Sequence, residues 1–367
     1  MTLATHTGEI TLACPACRAS LSEAASLLQC CSCGREWPIV DGMPVFVEGG
    51  QYWGEVPQEL MQRVVDRGRE IGWRQAVDEL LLPDYAKIAS YVQEPCRADW
   101  RFLLPDTRGW TVLDAGAGWG PISLLLSGVC RWVVALENVR ERARFIQLRA
   151  KQDGGANVRV VCADIIAPPL PEESFDLVVM NGVVEWLGLA DTTRDPRDVQ
   201  VSALGSVRRL LRPGGYLYVG IENRFGYPAF LGAEDHSGVK FTNLMPRRVA
   251  NYYLQTLRRE GYRVGRRTVR ALQSYRTYTY SARGYRRLLA DAGYESCEIY
   301  SSRPYYNRPL TIAPIGADQL IGYYTSHLAA PRSVRQRLVA MGEGVLAGLR
   351  LDSVLAPSFS IVAKRAD

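Results

Sequence analysis

Lysine is nearly missing from this 367-residue chain. It occurs only at positions 87, 151, 240 and 364, and arginine supplies the rest of the 44 basic residues. Against 38 acidic residues the net charge is +6, modest for the length. No concentrated Lys/Arg tract interleaved with aromatics stands out, which argues against a nucleic-acid-binding surface. No apolar stretch approaches the ~20 uncharged residues of a membrane span. The opening Met-Thr-Leu-Ala-Thr-His lacks the basic start and apolar core of a signal peptide, so a soluble, cytoplasmic protein is expected. Histidine is also scarce, at three residues. Apolar residues are plentiful at 47 %, enough for a full core and more than one domain.

Residues 112–120, Val-Leu-Asp-Ala-Gly-Ala-Gly-Trp-Gly, are the most informative stretch. Val112 and Leu113 end an apolar run that reads as a buried strand. Asp114 follows, with glycines at 116, 118 and 120. Glycines so spaced allow a tight turn and leave no side chain between the backbone and a ligand. The run Ile122–Leu126 then starts a helix whose N-terminal amides face the same pocket. A dinucleotide fingerprint needs its third glycine one residue later.

Further apolar runs arrive in order. Trp132–Leu136 ends in Glu137, which lies 23 positions after Asp114, where a nucleotide-binding α/β unit places a carboxylate for ribose hydroxyls. Val158–Cys162 leads to Asp164 and Ile165, and Phe175–Met180 runs into Asn181-Gly182. The turn Leu211–Gly215 precedes a fifth strand at Tyr216–Ile221. Together these resemble the class I S-adenosylmethionine-dependent methyltransferases. The resemblance implies an α/β fold with a seven-stranded Rossmann-like sheet and S-adenosylmethionine as cofactor. It implies cofactor contacts at Asp114, Gly116, Gly118, Gly120, Glu137, Asn138, Asp164, Ile165 and Asn181. Asp164 would contact the adenine amine, and Ile165 would pack on the ring.

Five of nine cysteines fall within residues 14–33. Cys14/Cys17 and Cys30/Cys33 form two Cys-x-x-Cys hooks with twelve residues between them. Four thiolates so arranged suit a closed structural zinc site. A disulfide framework is the competing reading, disfavoured in a cytosolic chain. Cys31 competes with Cys30, whose spacing is the better one. The run 35–46 resembles the small zinc-ribbon subunit that activates several methyltransferases, which leaves a protein partner open. So short a segment rarely folds on its own core, and the metal would staple it.

The expected organisation is a zinc ribbon at 1–50, a helical connector or lid at 51–105, and a methyltransferase domain at 106–367. Beyond the fifth strand, Glu298–Ser301 and Ser358–Ala363 read as sixth and seventh strands, with insertions at about 222–280 and 304–357. Segments leaving the fourth and fifth strands face the reacting end of an open α/β sheet, so the insertions would build the acceptor pocket. Candidate catalytic groups there are His236, Glu222 and Glu185. Histidine near its ordinary pKa takes up a proton at neutral pH; Glu222 could instead pair with Arg224. Many small-molecule members carry an acid–His pair after the fourth strand, and here Trp186 follows Glu185. The expected function is methylation of a small-molecule acceptor, a natural product or sugar, at oxygen or nitrogen. An RNA methyltransferase with a zinc module is the first alternative, although Asn181–Val184 lacks the Pro-Pro-aromatic element that holds planar amines. A non-catalytic scaffold is the second.

Overall fold

The computed structural model describes residues 11–24, 26–47, 52, 54–259, 274–328 and 333–367. Residues 1–10 of the expected ribbon and 260–273 of the first expected insertion lie outside the described residues. None of the described helices is long and apolar enough to cross a membrane.

The N-terminal segment folds as four short antiparallel strands, β1 (Leu21–Ala24), β2 (Leu27–Cys30), β3 (Glu36–Val40) and β4 (Met43–Pro44). Their few buried apolar groups, Leu28, Trp37 and Met43, are too little for an independent core. The segment instead leans on the larger sheet. Val45 bridges Cys162 in parallel, Phe46 N donates to the Cys162 carbonyl at 2.8 Å, and Arg18 donates to the carbonyls of Pro168 and Leu170 at 2.7 and 3.0 Å.

The connector contains α1 (Gln58–Ile71), α2 (Trp73–Leu80), α3 (Leu82–Gln93) and a 3-10 helix over Pro95–Leu103. Leu60, Val64 and Val65, at helical spacing, put Val64 and Val65 inside, where they cluster with Trp73, Val77 and Trp119.

The large sheet comprises β5 (Thr111–Ala115), β6 (Trp132–Glu137), β7 (Val158–Cys162), β8 (Phe175–Asn181), β9 (Leu211–Glu222), β10 (Ser296–Tyr305), β11 (Arg308–Pro314) and β12 (Ser358–Lys364). Its order is β11-β10-β12-β9-β8-β5-β6-β7, with β5 to β9 parallel and the last three strands antiparallel. The sheet therefore has eight strands, not seven. The extra one, β11, falls inside the second expected insertion and pairs back onto β10 as a hairpin, with Tyr305 opposite Arg308. Its burial alternates imperfectly and its turn, Tyr306-Asn307, lacks a glycine, so neither period nor turn chemistry marked it.

Helices cover both faces. Strand residues point alternately up and down, so Leu113, Val178 and Leu217 meet α6 (Pro196–Leu210) and α9 (Ala282–Asp291). Val112, Leu177 and Tyr218 meet α4 (Pro121–Ser127), and Trp100 stacks on Tyr218 at 3.7 Å. Ser281 caps α9 by accepting from Gly284 N, as its sequence pattern predicts. The remaining helices are α5 (Arg140–Asp153), α7 (Tyr227–Phe230), α8 (Arg247–Arg259), α10 (Asp318–Tyr323), α11 (Val334–Gly348) and α12 (Asp352–Leu355). The second insertion is pinned by Arg303 of β10, 2 % exposed, which pairs with Asp352 and with Glu343.

Candidate functional site

The glycine turn follows β5, at the carboxyl ends of the parallel strands. Gly116, Gly118 and Gly120 all have positive φ (76°, 59° and 76°), and a Cβ on Gly116 would sit 2.7 Å from Val183. The turn is latched from the next strand: Glu137 Oε2 accepts from Gly118 N at 2.8 Å, and its Oε1 accepts from Val139 N at 2.9 Å. Burial pushes the Glu137 carboxyl up, with Arg142 and these amides opposing. Asp114 is buried and accepts from Ser123 Oγ at 2.6 Å. Burial raises it to about 6 against that bond. One oxygen of Asp114 is thus committed to holding the start of α4.

The other expected cofactor residues differ among themselves. Asn138 and Asp164 are exposed, with Asp164 closing its own turn by accepting from Ile166 N at 2.9 Å, while Ile165 is buried. Asn181, at the end of β8, is buried, and neither amide atom has a hydrogen-bond partner among the described residues. A buried orphan amide beside a side-chain-free turn suits a polar ligand such as S-adenosylmethionine. The connector reaches the same place. Glu55 accepts from Trp119 Nε1 at 3.1 Å and pairs with Arg142, which keeps its carboxyl below the ordinary range despite burial. Sequence reasoning missed Glu55 and Arg142, since neither belongs to a motif.

The three catalytic candidates converge. Glu185 lies in the 3-10 turn Val184–Leu189 after β8, Glu222 ends β9, and His236 comes from the loop beyond α7. His236 Nε2 is 3.1 Å from Glu222 Oε2 and 3.7 Å from Glu185 Oε1. The histidine absent after Glu185 in sequence is thus supplied by a distant loop, and Trp186 packs edge-on to its ring at 4.6 Å. Asp235 turns away, accepting from Ser237 N and Thr242 Oγ1. Glu222 does not pair with Arg224, which donates to the Asn243 and Met245 carbonyls. Its other oxygen accepts from Tyr306 Oη at 3.2 Å. Tyr306 belongs to the β10–β11 turn and lies over Gly182, whose added Cβ would stand 2.8 Å from its hydroxyl.

Charge is shared unevenly in this trio. Glu185 is fully buried, and burial together with the Glu222 charge raises it to about 8. Burial also opposes charge on Glu222, but His236 keeps it below the ordinary range. Burial likewise disfavours the imidazolium, yet Glu222 and Glu185 lift His236 to about 9. The three groups are coupled: carboxylate charge favours the imidazolium, while burial drives Glu185 toward its neutral form. The His236 ring is thus held above the ordinary imidazole range. Ligand atoms of the three, two carboxylates and an imidazole, lie within 4.8 Å of one another.

Cys14, Cys17, Cys30 and Cys33 form the cluster expected in the N-terminal segment. Their Sγ atoms lie within 4.8 Å of one another, with Cys14–Cys33 at 3.7 Å and Cys17–Cys30 at 3.4 Å. Backbone amides of Cys33 and Ser32 point at Cys30 Sγ, whereas Cys31 is exposed and outside the cluster. All nine cysteines are free.

A methyltransferase-domain family model matches residues 113–219. No curated protein matches the chain. Similar solved structures include the [4+2]-cyclase SpnF, 15 % identical over 76 % of this chain and 82 % of that one, with a TM-score of 0.41. An S-adenosylmethionine-dependent methyltransferase of Thermotoga maritima is 16 % identical over 84 % and 99 %, TM-score 0.40. A Haloferax volcanii complex of the Trm112 methyltransferase activator with a methyltransferase contains a chain 17 % identical over 83 % and 98 %, TM-score 0.40. Residues 113–219 are thus similar to a methyltransferase domain.

Proposed function

We propose that this methyltransferase domain methylates a small molecule at an oxygen or nitrogen that starts out protonated. The observation that supports this reading is the buried trio of Glu185, Glu222 and His236 at the carboxyl ends of β8 and β9, roofed by Tyr306. S-adenosylmethionine, held at the glycine turn by Glu137 and Asn181, supplies a methyl group that is electrophilic as bound. The protein's own tasks are then alignment, exclusion of water and removal of the acceptor's proton.

His236 is the proton acceptor in this reading. Glu222 holds the ring through Nε2 and raises its basicity, while burial drives Glu185 toward its neutral form. The imidazole is a strong base once neutral, but only a minor fraction is neutral at pH 7. Natural-product and sugar acceptors offer suitable hydroxyls and amines. The four thiols of the N-terminal segment hold one structural zinc, with no ligand position open for chemistry.

Release of S-adenosylhomocysteine from S-adenosylmethionine, measured against a panel of small hydroxyl- and amine-bearing acceptors and against bulk RNA, tests the reading. Turnover on a small acceptor that collapses in His236→Gln is expected. Turnover on RNA alone would replace it with the nucleic-acid alternative, and failure to bind S-adenosylmethionine would leave a scaffold.

A further inference from the structure

Helix α11 presents its faces the wrong way round for a globular surface. Its buried side carries an acid: Glu343 pairs with Arg303 at 3.2 Å and accepts from Tyr227 Oη at 3.0 Å, while Ala347 packs beside Ile321 of α10. Its apolar side chains face water instead. Val334, Leu338, Met341, Val345 and the C-cap residue Leu349 are each exposed, from 60 % at Val345 to 74 % at Val334. A surface helix ordinarily buries its apolar stripe and exposes its charges. Among the described residues nothing covers this one.

The spacing of the five shows what fits there. They recur at intervals of 4, 3, 4 and 4 residues. At 3.6 residues per turn they fall within roughly 80° of arc. That is narrower than the face a helix turns to a globular core, and it matches the seam it offers to another helix. The order is also close to a palindrome. Turning the helix end for end about Met341 sets Val334 against Leu349, Leu338 against Val345, and Met341 against itself. A smaller side chain then meets a larger one on either side of the centre. An interface about a two-fold axis needs a patch that is complementary to itself in this way.

Charge and area agree. Arg337, exposed on the same helix, would stand nine residues along from its copy, ~13 Å at 1.5 Å per residue and beyond the ~10 Å screening length. With Leu320 and Tyr323, exposed on the adjoining α10, the apolar side chains present roughly 900 Å² per chain, against the ~800 Å² that each partner gives to a standard interface. A helix lying on lipid needs basic residues on its far face, whereas the far face of α11 is packed on protein.

We propose that the outer face of α11 is the interface of a two-fold homodimer, with α11 antiparallel to the α11 of a second copy and Met341 on the axis. Sedimentation velocity on the full chain at micromolar concentration should give twice the chain mass for wild type. Met341→Glu brings two like charges together at the axis and should raise the dimer dissociation constant by roughly 30-fold or more, as loss of a central hot spot does, with S-adenosylmethionine affinity unchanged. Oxidative cross-linking fixes the direction. Met341→Cys should trap a dimer above the wild-type background, whereas Val334→Cys, whose copy would lie roughly 22 Å away, should not. Monomeric wild type overturns the proposal without needing any variant to fold. A dimer that Met341→Glu leaves intact overturns it by placing the interface elsewhere, and trapping through Val334→Cys overturns the antiparallel arrangement. Monomeric wild type that binds anionic vesicles, with binding lost in Met341→Glu, would give the face to lipid instead.

Discussion

The glycine-turn half of the site takes most of its groups from one stretch, Asp114 to Asp164, across three successive strands, with Asn181 added at the end of the fourth. The acceptor half gathers Glu185, Glu222, His236 and Tyr306 from four separate elements, two of them beyond the parallel strands. Local chain geometry fixes the first half: positive-φ glycines, and a Glu137 latch that closes within a single βαβ unit. Only tertiary packing fixes the second, which depends on a loop and a hairpin meeting over β9. In the proposed reading, the five parallel strands and their glycine turn serve the cofactor, and what is appended after them serves the acceptor.

If the halves are as separable as this, perturbing one should spare the other. The largest effect is expected from stripping the metal. Removing about one zinc per chain, or Cys14→Ser, should unfold residues 11–47. That would uncover β7 and the back of the glycine turn, where Met43 and Val45 pack with Ala117. Limited proteolysis should then cut the N-terminal segment, and S-adenosylmethionine affinity should fall. A metal-free protein with an intact segment would remove zinc from the account.

His236→Gln should lower turnover by roughly 10²–10⁴-fold, the range for a positioned proton acceptor, with cofactor affinity by calorimetry unchanged. A parallel loss of affinity would mean that the halves are one. Conversely, Glu137→Gln should weaken S-adenosylmethionine binding by about 1.5–3 kcal/mol. Part of that loss arises from the latch on Gly118.

A pH profile is the finer probe. Turnover should climb from pH 7 toward 9 as the His236 imidazolium, held up to about 9, gives up its proton. In Glu222→Gln the climb should shift down toward the ordinary imidazole range near ~6.5. Stability should run the other way. The charged ring, with a folded pKa raised above its unfolded one, stabilises fully below ~6.5, and that contribution is lost as pH rises through about 9. Melting temperature should therefore fall over the interval in which turnover rises. Smallest of all, Tyr306→Phe removes one hydrogen bond from Glu222, about 0.5–1.5 kcal/mol, and should alter turnover only a few-fold.

The same contrast governs what could be read from the sequence. Val158–Cys162 is a strand over those very residues, and Trp132 and Phe175 begin theirs where the apolar runs begin, because a buried parallel strand is a continuous apolar run. The four thiols were legible as spacing alone. Glu185, Glu222 and His236 could be named singly from their positions after strands, but their meeting could not, since no periodicity encodes which loop folds back on which. Glu55 left no trace, as a lone charge in a connector looks like solvated surface until its partners are found. The strand β11 was lost for a similar reason. The stretch Glu298–Ser301 spans only part of its partner β10, too little to show the hairpin continuing through Tyr305.

The four-stranded N-terminal module is joined to the sheet it covers by the chain itself. Its hold on β7 is thus a unimolecular equilibrium, governed by an effective concentration that dilution does not change. A separate subunit on the same edge would dissociate as the protein is diluted, and its midpoint of melting would move with concentration. Here the docked fraction is the same in one copy per cell or in a concentrated solution, and no stoichiometry between two gene products has to be kept.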